Sequence, residues 1–422
     1  MSHLATLMAI RNRPPILGLN RADLNIRRQP SQQMRHFRSI DGVRGWLAWS
    51  VVLYHILLLT AADQWKPVVA YIHLLDYVSV PCFIIISGFV ITHLLLERKE
   101  RYFPYIARRF LRIYPAYICC LALGCVATYL HFAAFAGHPW GDYVPQPEIL
   151  QAELAGSHGA ELGWHLLAHL TMLHGLISNN VLPVSQYMFL GPAWSLSLEW
   201  QFYLLAPLII FWVRTPPGKI MVSLAAVAAF AAYQRGWFGA FGDPSSLPGA
   251  GLYFAAGIGS RLVYPKLPTL SAYPTVGVIL AGGFVILARP LLPFVMWIAF
   301  ISWLRVEHPT DGVRHGVDRC LDVAFNSKIA RYLGKRSYST YLVHEPIIHT
   351  IVYMCIKLFS LGIAATVGVM FVTVPLITWA MSGLLWRYVE EPAIDFGKRR
   401  FRDLDAGGAN NVGVRARTGT MT

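Results

Sequence analysis

The chain has 422 residues, of which 55% are hydrophobic and only 14% are charged. Soluble domains carry about 25% charged residues, so this composition excludes a soluble globular protein and indicates a polytopic membrane protein. The formal net charge of +14 invites a nucleic-acid reading, but the basic residues are placed as a topology signal.

Residues 1–37 are Arg-rich, contain Pro and lack periodicity, as expected of a disordered basic tail. No apolar stretch precedes residue 45, so no cleavable signal is expected, and Met34 is an alternative start. One membrane domain is expected over residues 38–396, followed by a second disordered tail over 397–422. Hydropathy predicts ten spans, near 45–62, 77–96, 113–135, 194–213, 220–234, 249–264, 272–288, 290–304, 337–359 and 361–386. The expected fold is therefore an all-α polytopic helical bundle. With the N-terminus inside, 32 of the 36 Lys and Arg face the cytoplasm. Only Lys66, Arg235, Arg289 and Lys357 fall outside. That asymmetry predicts both termini on the cytoplasmic side. The six cysteines show no paired spacing on the oxidising side, so neither a disulfide nor a thiolate metal site is expected.

The first span opens with Asp41-Gly-Val-Arg44 and carries His55 eleven residues after Arg44. Eleven steps are close to three helical turns, so the two side chains share a face, roughly 16 Å apart along the axis. A cation at the membrane surface and an imidazole near the midplane suggest function, because titratable groups are expensive at that depth. The alternative is a capping Arg and a buried His bonded to a neighbouring helix, with Asp41 orienting Arg44. The second span carries Ser87-Gly-Phe-Val-Ile-Thr-His93, where Gly88 permits close helix contact and His93 reads as a packing residue.

The basic loop 97–112 holds Arg108, Arg109 and Arg112, at spacings expected to share a helix face. Guanidinium groups suit phosphate recognition, although anchoring to anionic lipid accounts for such a loop equally well. The outer segment 136–193 has no Lys or Arg and includes an apolar stretch from Gly163 to Ile177, too short for a span and read as interfacial or re-entrant. His165, His169 and His174 lie in it at helical spacing, but no carboxylate or Cys completes a metal set. At the outer end of the next long span, Ser195, Glu199 and Tyr203 recur every four residues as a polar stripe. A carboxylate there could orient or deprotonate a hydroxyl, or serve as one hydrogen-bonded group in an aromatic belt. Near the end of the chain, Ser337-Tyr-Ser-Thr-Tyr341-Leu-Val-His344-Glu345-Pro346 places a buried His beside a buried acid, with His349 one turn on. Pro346 breaks the backbone ladder, which membrane helices tolerate best around cavities. A satisfied interhelix polar pair is the alternative. No internal repeat, GxGxxG, P-loop or GxSxG is present.

Taken in order, these motifs resemble the acyltransferase 3 family of integral membrane O-acyltransferases. The resemblance runs from about Arg38 to Pro392. It rests on Asp41-Gly-Val-Arg44-Gly with His55, Ser87-Gly-Phe-Val-Ile, Arg109-Phe-Leu-Arg112-Ile-Tyr-Pro115, Trp194-Ser195-Leu-Ser-Leu-Glu199-Trp-Gln-Phe-Tyr203, Ser337 to Pro346, and Tyr388-Val-Glu390-Glu-Pro392. It implies acyl transfer, usually acetyl, from cytoplasmic acyl-CoA as donor substrate, with no bound cofactor. It implies a glycan or glycolipid acceptor of the bacterial envelope, or sometimes a small exported molecule, and a multi-pass location in the cytoplasmic membrane. Polysaccharide-assembly proteins are expected partners. It also implies that Arg44 and His55 belong to the active site and that Arg109 and Arg112 help bind the donor. Glu199 and His344 join the expected catalytic set, with Arg108 among the donor contacts and Asp41, Ser87, Ser195, Tyr203, Tyr341 and Glu345 in support. The chain departs from the family at Tyr77-Val-Ser79-Val-Pro81-Cys82-Phe, where an acidic residue followed by aromatics is usual. It shows no C-terminal hydrolase-like domain, so the membrane domain is expected to act alone. Glu199 is expected on the outer, acceptor side. A longer or succinyl-type donor is an alternative. In a different class, a proton-coupled transporter or flippase could use the buried His and Glu as a relay, but the repeat symmetry expected of such folds is missing.

Overall fold

A computed structural model describes residues 21–59, 66–98, 100–267, 289–305 and 313–402, and all regular structure among them is helical. In chain order the helices are α1 (Arg21–Leu58), α2 (Lys66–Glu97), α3 (Tyr102–Phe135), α4 (Pro147–Gly156), α5 (Gly159–Leu170), α6 (Trp194–Trp212), α7 (Pro216–Gln234) and α8 (Leu247–Val263). They continue as α9 (Leu292–Leu304), α10 (Val313–Asn326), α11 (Lys328–Lys335), α12 (Ser337–Tyr353), α13 (Ile363–Leu385) and α14 (Glu391–Arg400).

Five helical segments among the described residues are long and apolar enough to cross a membrane: Tyr77–Glu97, Tyr102–Phe135, Gly191–Trp212, Pro216–Gln234 and Ile363–Arg400. The expected spans in α1, α8, α9 and α12 are also helical. Their apolar stretches are shorter or are interrupted by polar groups. The expected span at 272–288 lies outside the described residues. Two boundaries differ from expectation. Helix α1 starts at Arg21, inside the expected N-terminal tail, and α14 runs to Arg400, inside the expected C-terminal tail. Arg, Gln and Lys are good helix formers, so loss of hydropathy there does not end the helices. The stretch from Gly163 to Ile177 folds as α5 followed by a separate 3-10 turn at His174–Leu176. Trp164, Leu167 and Leu170 are exposed on α5, while His165 and His169 are buried, a two-faced helix of the kind that lies at an interface.

The periphery of the bundle is apolar. Ile220, Leu224 and Val227 on α7 and Val372, Leu376 and Trp379 on α13 are exposed. Polar side chains such as Ser339, Thr340, His344 and Thr378 are buried. That is the arrangement hydrocarbon surroundings require, because polar groups there must find partners inside the protein.

Small residues set the closest helix contacts. On α8, a Cβ at Gly257 would lie 2.7 Å from the Phe89 amide nitrogen and would overlap the Ile85 carbonyl. Across the same crossing, a Cβ at Gly88 would lie 2.7 Å from the Phe254 carbonyl oxygen. Helix α1 meets α11 in the same way: a Cβ at Gly45 would lie 2.7 Å from the Gly334 nitrogen. This contact fixes the turn of α1 that carries Asp41 and Arg44. Helix α12 runs through the middle and packs on α1, α3 and α13.

Close backbone approach makes Gly257 intolerant of a branched side chain. Gly257→Val is expected to destabilise the bundle by about 1–3 kcal/mol through overpacking. Gly259→Val, whose Cβ meets nothing within 4 Å, is the control. Thermal unfolding of both variants in detergent, followed by loss of monodispersity, checks the difference.

Candidate active site

Two cavities meet in the interior. The first has a volume of about 170 Å³ and lies between α1, α2, α3, α6 and α12. Its charged lining consists of Asp41, Arg44, Arg109, Arg112 and Glu199, with Tyr203 beside them. Ser87 Oγ donates to Glu199 Oε1 at 3.0 Å, and the Tyr203 hydroxyl donates to the same oxygen. The carboxylate is thus held between α2 and its own helix. The Arg109 guanidinium lies 5.9 Å from the Tyr203 ring centroid, within cation–π range. Its Nε is buried without a hydrogen-bond partner. Arg112 has Glu199, Glu390 and Asp41 as its charged neighbours. Glu390 reaches the interior from a π-turn over Trp386–Glu390 and accepts a 2.6 Å bond from Ser339 Oγ.

The second cavity has a volume of about 200 Å³ and contains His55. His55 Nδ1 lies 3.0 Å from the Val51 carbonyl oxygen. A carbonyl can only accept, so that contact requires the proton on Nδ1 and leaves the Nε2 lone pair as the base. His344 stands behind, with its Nε2 3.3 Å from His55 Nδ1 and the two ring centroids 4.9 Å apart. His344 is fully buried and lines neither cavity. Glu345 does line the His55 cavity, and its Oε2 accepts from the Gly191 amide at 2.6 Å. A Cβ at residue 191 would sit 2.6 Å from Glu345 Oε1, so this cradle accepts only glycine.

Tyr341 is the residue common to the linings of both cavities. Its hydroxyl is 2.8 Å from Ser195 Oγ and 3.0 Å from the Pro192 carbonyl. Ser195 Oγ is itself 3.1 Å from that carbonyl. Arg44 and His55 therefore open into different cavities, with this hydroxyl pair at the partition.

The expected polar stripe of Ser195, Glu199 and Tyr203 lines a single cavity. That cavity is the Arg-lined one, which Glu199 shares with Arg44, Arg109 and Arg112. The residue lies close enough to α2 to be captured by Ser87, and α2 turns it toward the arginines. Arg108 stands apart from that set. It lines neither cavity and pairs with Glu100 at 2.9 Å. His93 accepts a 2.9 Å bond from Arg261, a packing contact. Ser79, in the segment that departs from the family, bonds to Ser50 of α1 at 2.7 Å and lines the His55 cavity.

The outer histidines are occupied locally. His169 Nε2 donates to the Ser185 carbonyl at 3.0 Å, and His174 Nε2 donates to the Ala193 carbonyl at 3.1 Å. The two rings stack at 4.0 Å. Burial pushes both imidazoles down, to about 4 for His174, so they act as neutral staples. No group of three or more His, Cys, Asp or Glu among the described residues could hold a metal.

Sequence reading missed Glu153, Tyr187 and Asp243, which line the His55 cavity from the segments 136–193 and 236–246. His131 also lines it and stacks on His349 with centroids 4.1 Å apart. A lone His at the outer end of α3 was the available signal. The others sit in loops or short helices whose placement has no local pattern.

A multi-helix membrane protein with a cationic cavity and an imidazole-bearing cavity, joined through one tyrosine, is the class defined by this geometry. The chain belongs to the acyltransferase 3 family: the family's acyltransferase domain matches residues 37–382. It is similar to peptidoglycan O-acetyltransferase OatA of Listeria monocytogenes, at 25% identity over 369 residues covering 76% of this chain. The alignment covers 51% of OatA, so the chain spans about half the length of that relative. No solved structure matches the chain.

Burial pushes the Glu153 carboxyl well above the usual carboxylate range, with Glu345 adding to the shift. A raised folded value means the folded state binds more protons, so stability falls as pH rises from the ordinary carboxyl value, about 4.3. Glu153→Gln is therefore expected to melt above the wild type at pH 7. The gap should close toward pH 4. Melting curves at the two pH values check it. Separately, Gly191→Ala is expected to displace Glu345 and to lower acyl transfer about tenfold or more. Gly191→Ala and Glu345→Gln should be strongly non-additive in a double-mutant cycle of transfer rates.

Proposed function

We propose that the chain is a membrane-bound O-acyltransferase that moves an acetyl group from cytoplasmic acyl-CoA to a hydroxyl of an envelope or secreted glycan. The observation that carries this reading is the opposed character of the two cavities and their junction at Tyr341. The family match supports acyl transfer, and the OatA likeness supports an acetyl donor and a glycan acceptor.

In this reading Arg44, Arg109 and Arg112 take the donor phosphates through charge-assisted hydrogen bonds. The pantetheine arm runs past Tyr341 and brings the thioester to His55. The acceptor hydroxyl enters from the other cavity. His55 Nε2 removes its proton as the oxygen attacks the thioester carbonyl, and the tetrahedral oxyanion forms beside Ser195 and Tyr341, whose hydroxyls supply donors. Collapse breaks the carbon–sulfur bond, and the imidazolium returns the proton to the thiolate. The products are the O-acetyl ester and free CoA. His344 holds the His55 ring, and Glu199 keeps the arginine side of the partition in register.

The same reading assigns ten spans with both termini cytoplasmic, in a bacterial cytoplasmic membrane. The Arg-lined cavity then opens beside the basic loop before α3, and the His55 cavity opens beneath the outer segment 136–193. Delivery of the donor from inside and the acceptor from outside follows from that placement.

Glycans from a parent strain, a deletion strain and complemented deletion strains are compared by NMR. The deletion is expected to remove specific O-acetyl signals, which the wild-type gene restores and His55→Ala does not. Loss of a general base lowers the rate by about 10²–10⁴. Arg109→Ala and Arg112→Ala are expected to raise the KM for acetyl-CoA more than they lower kcat. Full restoration by His55→Ala at matched abundance would remove His55 from the chemistry.

A further inference from the structure

Among the described residues, the His55 cavity is lined by three acidic residues, Glu153, Asp243 and Glu345, and by no Lys or Arg. Across Tyr341 the other cavity carries three arginines. Positive charge is thus segregated from the side on which the preceding reading places the acceptor.

The three acids are held differently. Glu345 is fixed by the Gly191 amide. Asp243 Oδ2 accepts a 2.9 Å bond from the Tyr187 hydroxyl. Glu153 projects from α4, which roofs the cavity, and is 8% exposed. It makes no hydrogen bond or salt bridge with a described residue. A buried carboxyl left in that state is completed by a polar group that enters the cavity. Protonated, it donates to a ligand oxygen; ionised, it accepts from a ligand hydroxyl or ammonium. Among the described residues, a ligand carboxylate or phosphate finds neither guanidinium nor ammonium there. The remaining bases are imidazoles: His55, whose Nε2 serves the reacting hydroxyl, and His131 and His349, stacked on each other. Tyr54, Tyr187 and Trp194 supply aromatic faces to the same lining, suited to the C–H faces of a sugar ring.

We propose that the acceptor unit is a sugar without negative charge, neutral or amine-bearing, and that Glu153 and Asp243 bind its hydroxyls and exclude acidic sugars. The inference rests on the glycan O-acetyltransferase reading and narrows it to a substrate class. Exclusion works because an acidic ligand would bring its charge into a site screened from water where no described cation pairs with it, and an unpaired buried charge is costly.

The test maps the O-acetyl groups that depend on this protein. Glycans from the parent strain, the deletion strain and strains complemented with wild type or Glu153→Gln/Asp243→Asn are fragmented, and acetylated residues are assigned by NMR and mass spectrometry. Membrane abundance is matched by immunoblot. Every acetyl group lost on deletion is expected on a neutral or amino sugar, and the double variant is expected to restore less than one fifth of the wild-type acetylation. An acetyl group lost from a uronic acid, or from a sugar bearing phosphate or a carboxyalkyl ether, overturns the proposal. Full restoration by the double variant overturns the role of the two acids. A deletion that removes no O-acetyl signal from any glycan fails differently: it overturns the glycan reading itself, and this inference with it.

Discussion

The fold depends on one constraint: a helix studded with polar groups must run through the centre of an apolar bundle. Helix α12 carries Tyr338, Ser339, Tyr341, His344, Glu345 and His349 on successive turns, and all are buried. Unpaired polar groups in such surroundings cost several kcal/mol each, so their partners dictate what must surround α12. Tyr338 donates to the Ile113 carbonyl of α3 at 2.6 Å. Ser339 draws in Glu390, Tyr341 meets Ser195 and Pro192, His344 meets His55, and Glu345 takes the Gly191 amide. Helices α1, α3 and α6 and the π-turn before α14 are each fixed to α12 by one of these contacts. The packing that satisfies α12 also assembles the site.

The charges divide along this axis. Where α12 enters, its neighbours are the α1 turn with Asp41 and Arg44 and the α3 turn with Arg109 and Arg112. Two turns further on, its neighbours are His55, His131 and the roof formed by α4. One helix therefore presents a phosphate-like environment at one end and a hydroxyl-like environment at the other. Ser87 and Tyr203, by holding Glu199, keep a counter-charge beside the arginines so that they do not repel each other apart.

Helical identity and five of the ten expected spans were legible because hydropathy is local and the hydrocarbon demands length. The placement of Arg44 and His55 on one face of α1 and the four-residue stripe from Ser195 to Tyr203 followed from helical period alone. What the period could not supply was the partner. Glu199 lies on the arginine side because Ser87 of a different helix reaches it. Arg108 turns away because Glu100 of the preceding loop captures it. Glu153, Tyr187 and Asp243 come from outer segments with no repeating pattern, and only the folded path of residues 136–193 and 236–246 brings them over His55. The helical reach of α1 back to Arg21 and of α14 to Arg400 was hidden because hydropathy detects burial in lipid, whereas helix formation needs only propensity.

The shared position of Tyr341 has an electrical consequence. A membrane potential of 100 mV is worth about 2.3 kcal/mol per elementary charge, and any continuous wet path through the bundle would dissipate it. In the proposed topology the two cavities enter from opposite faces and leave only a thin layer of insulation between them. That layer is the Tyr341 ring with the Ser195 and Pro192 turn against it, backed by Phe83, whose ring centroid lies 5.9 Å away. On the proposed two-sided delivery of substrates, the site must thus also be a seal. The aromatic bulk at this position serves membrane energetics as well as chemistry.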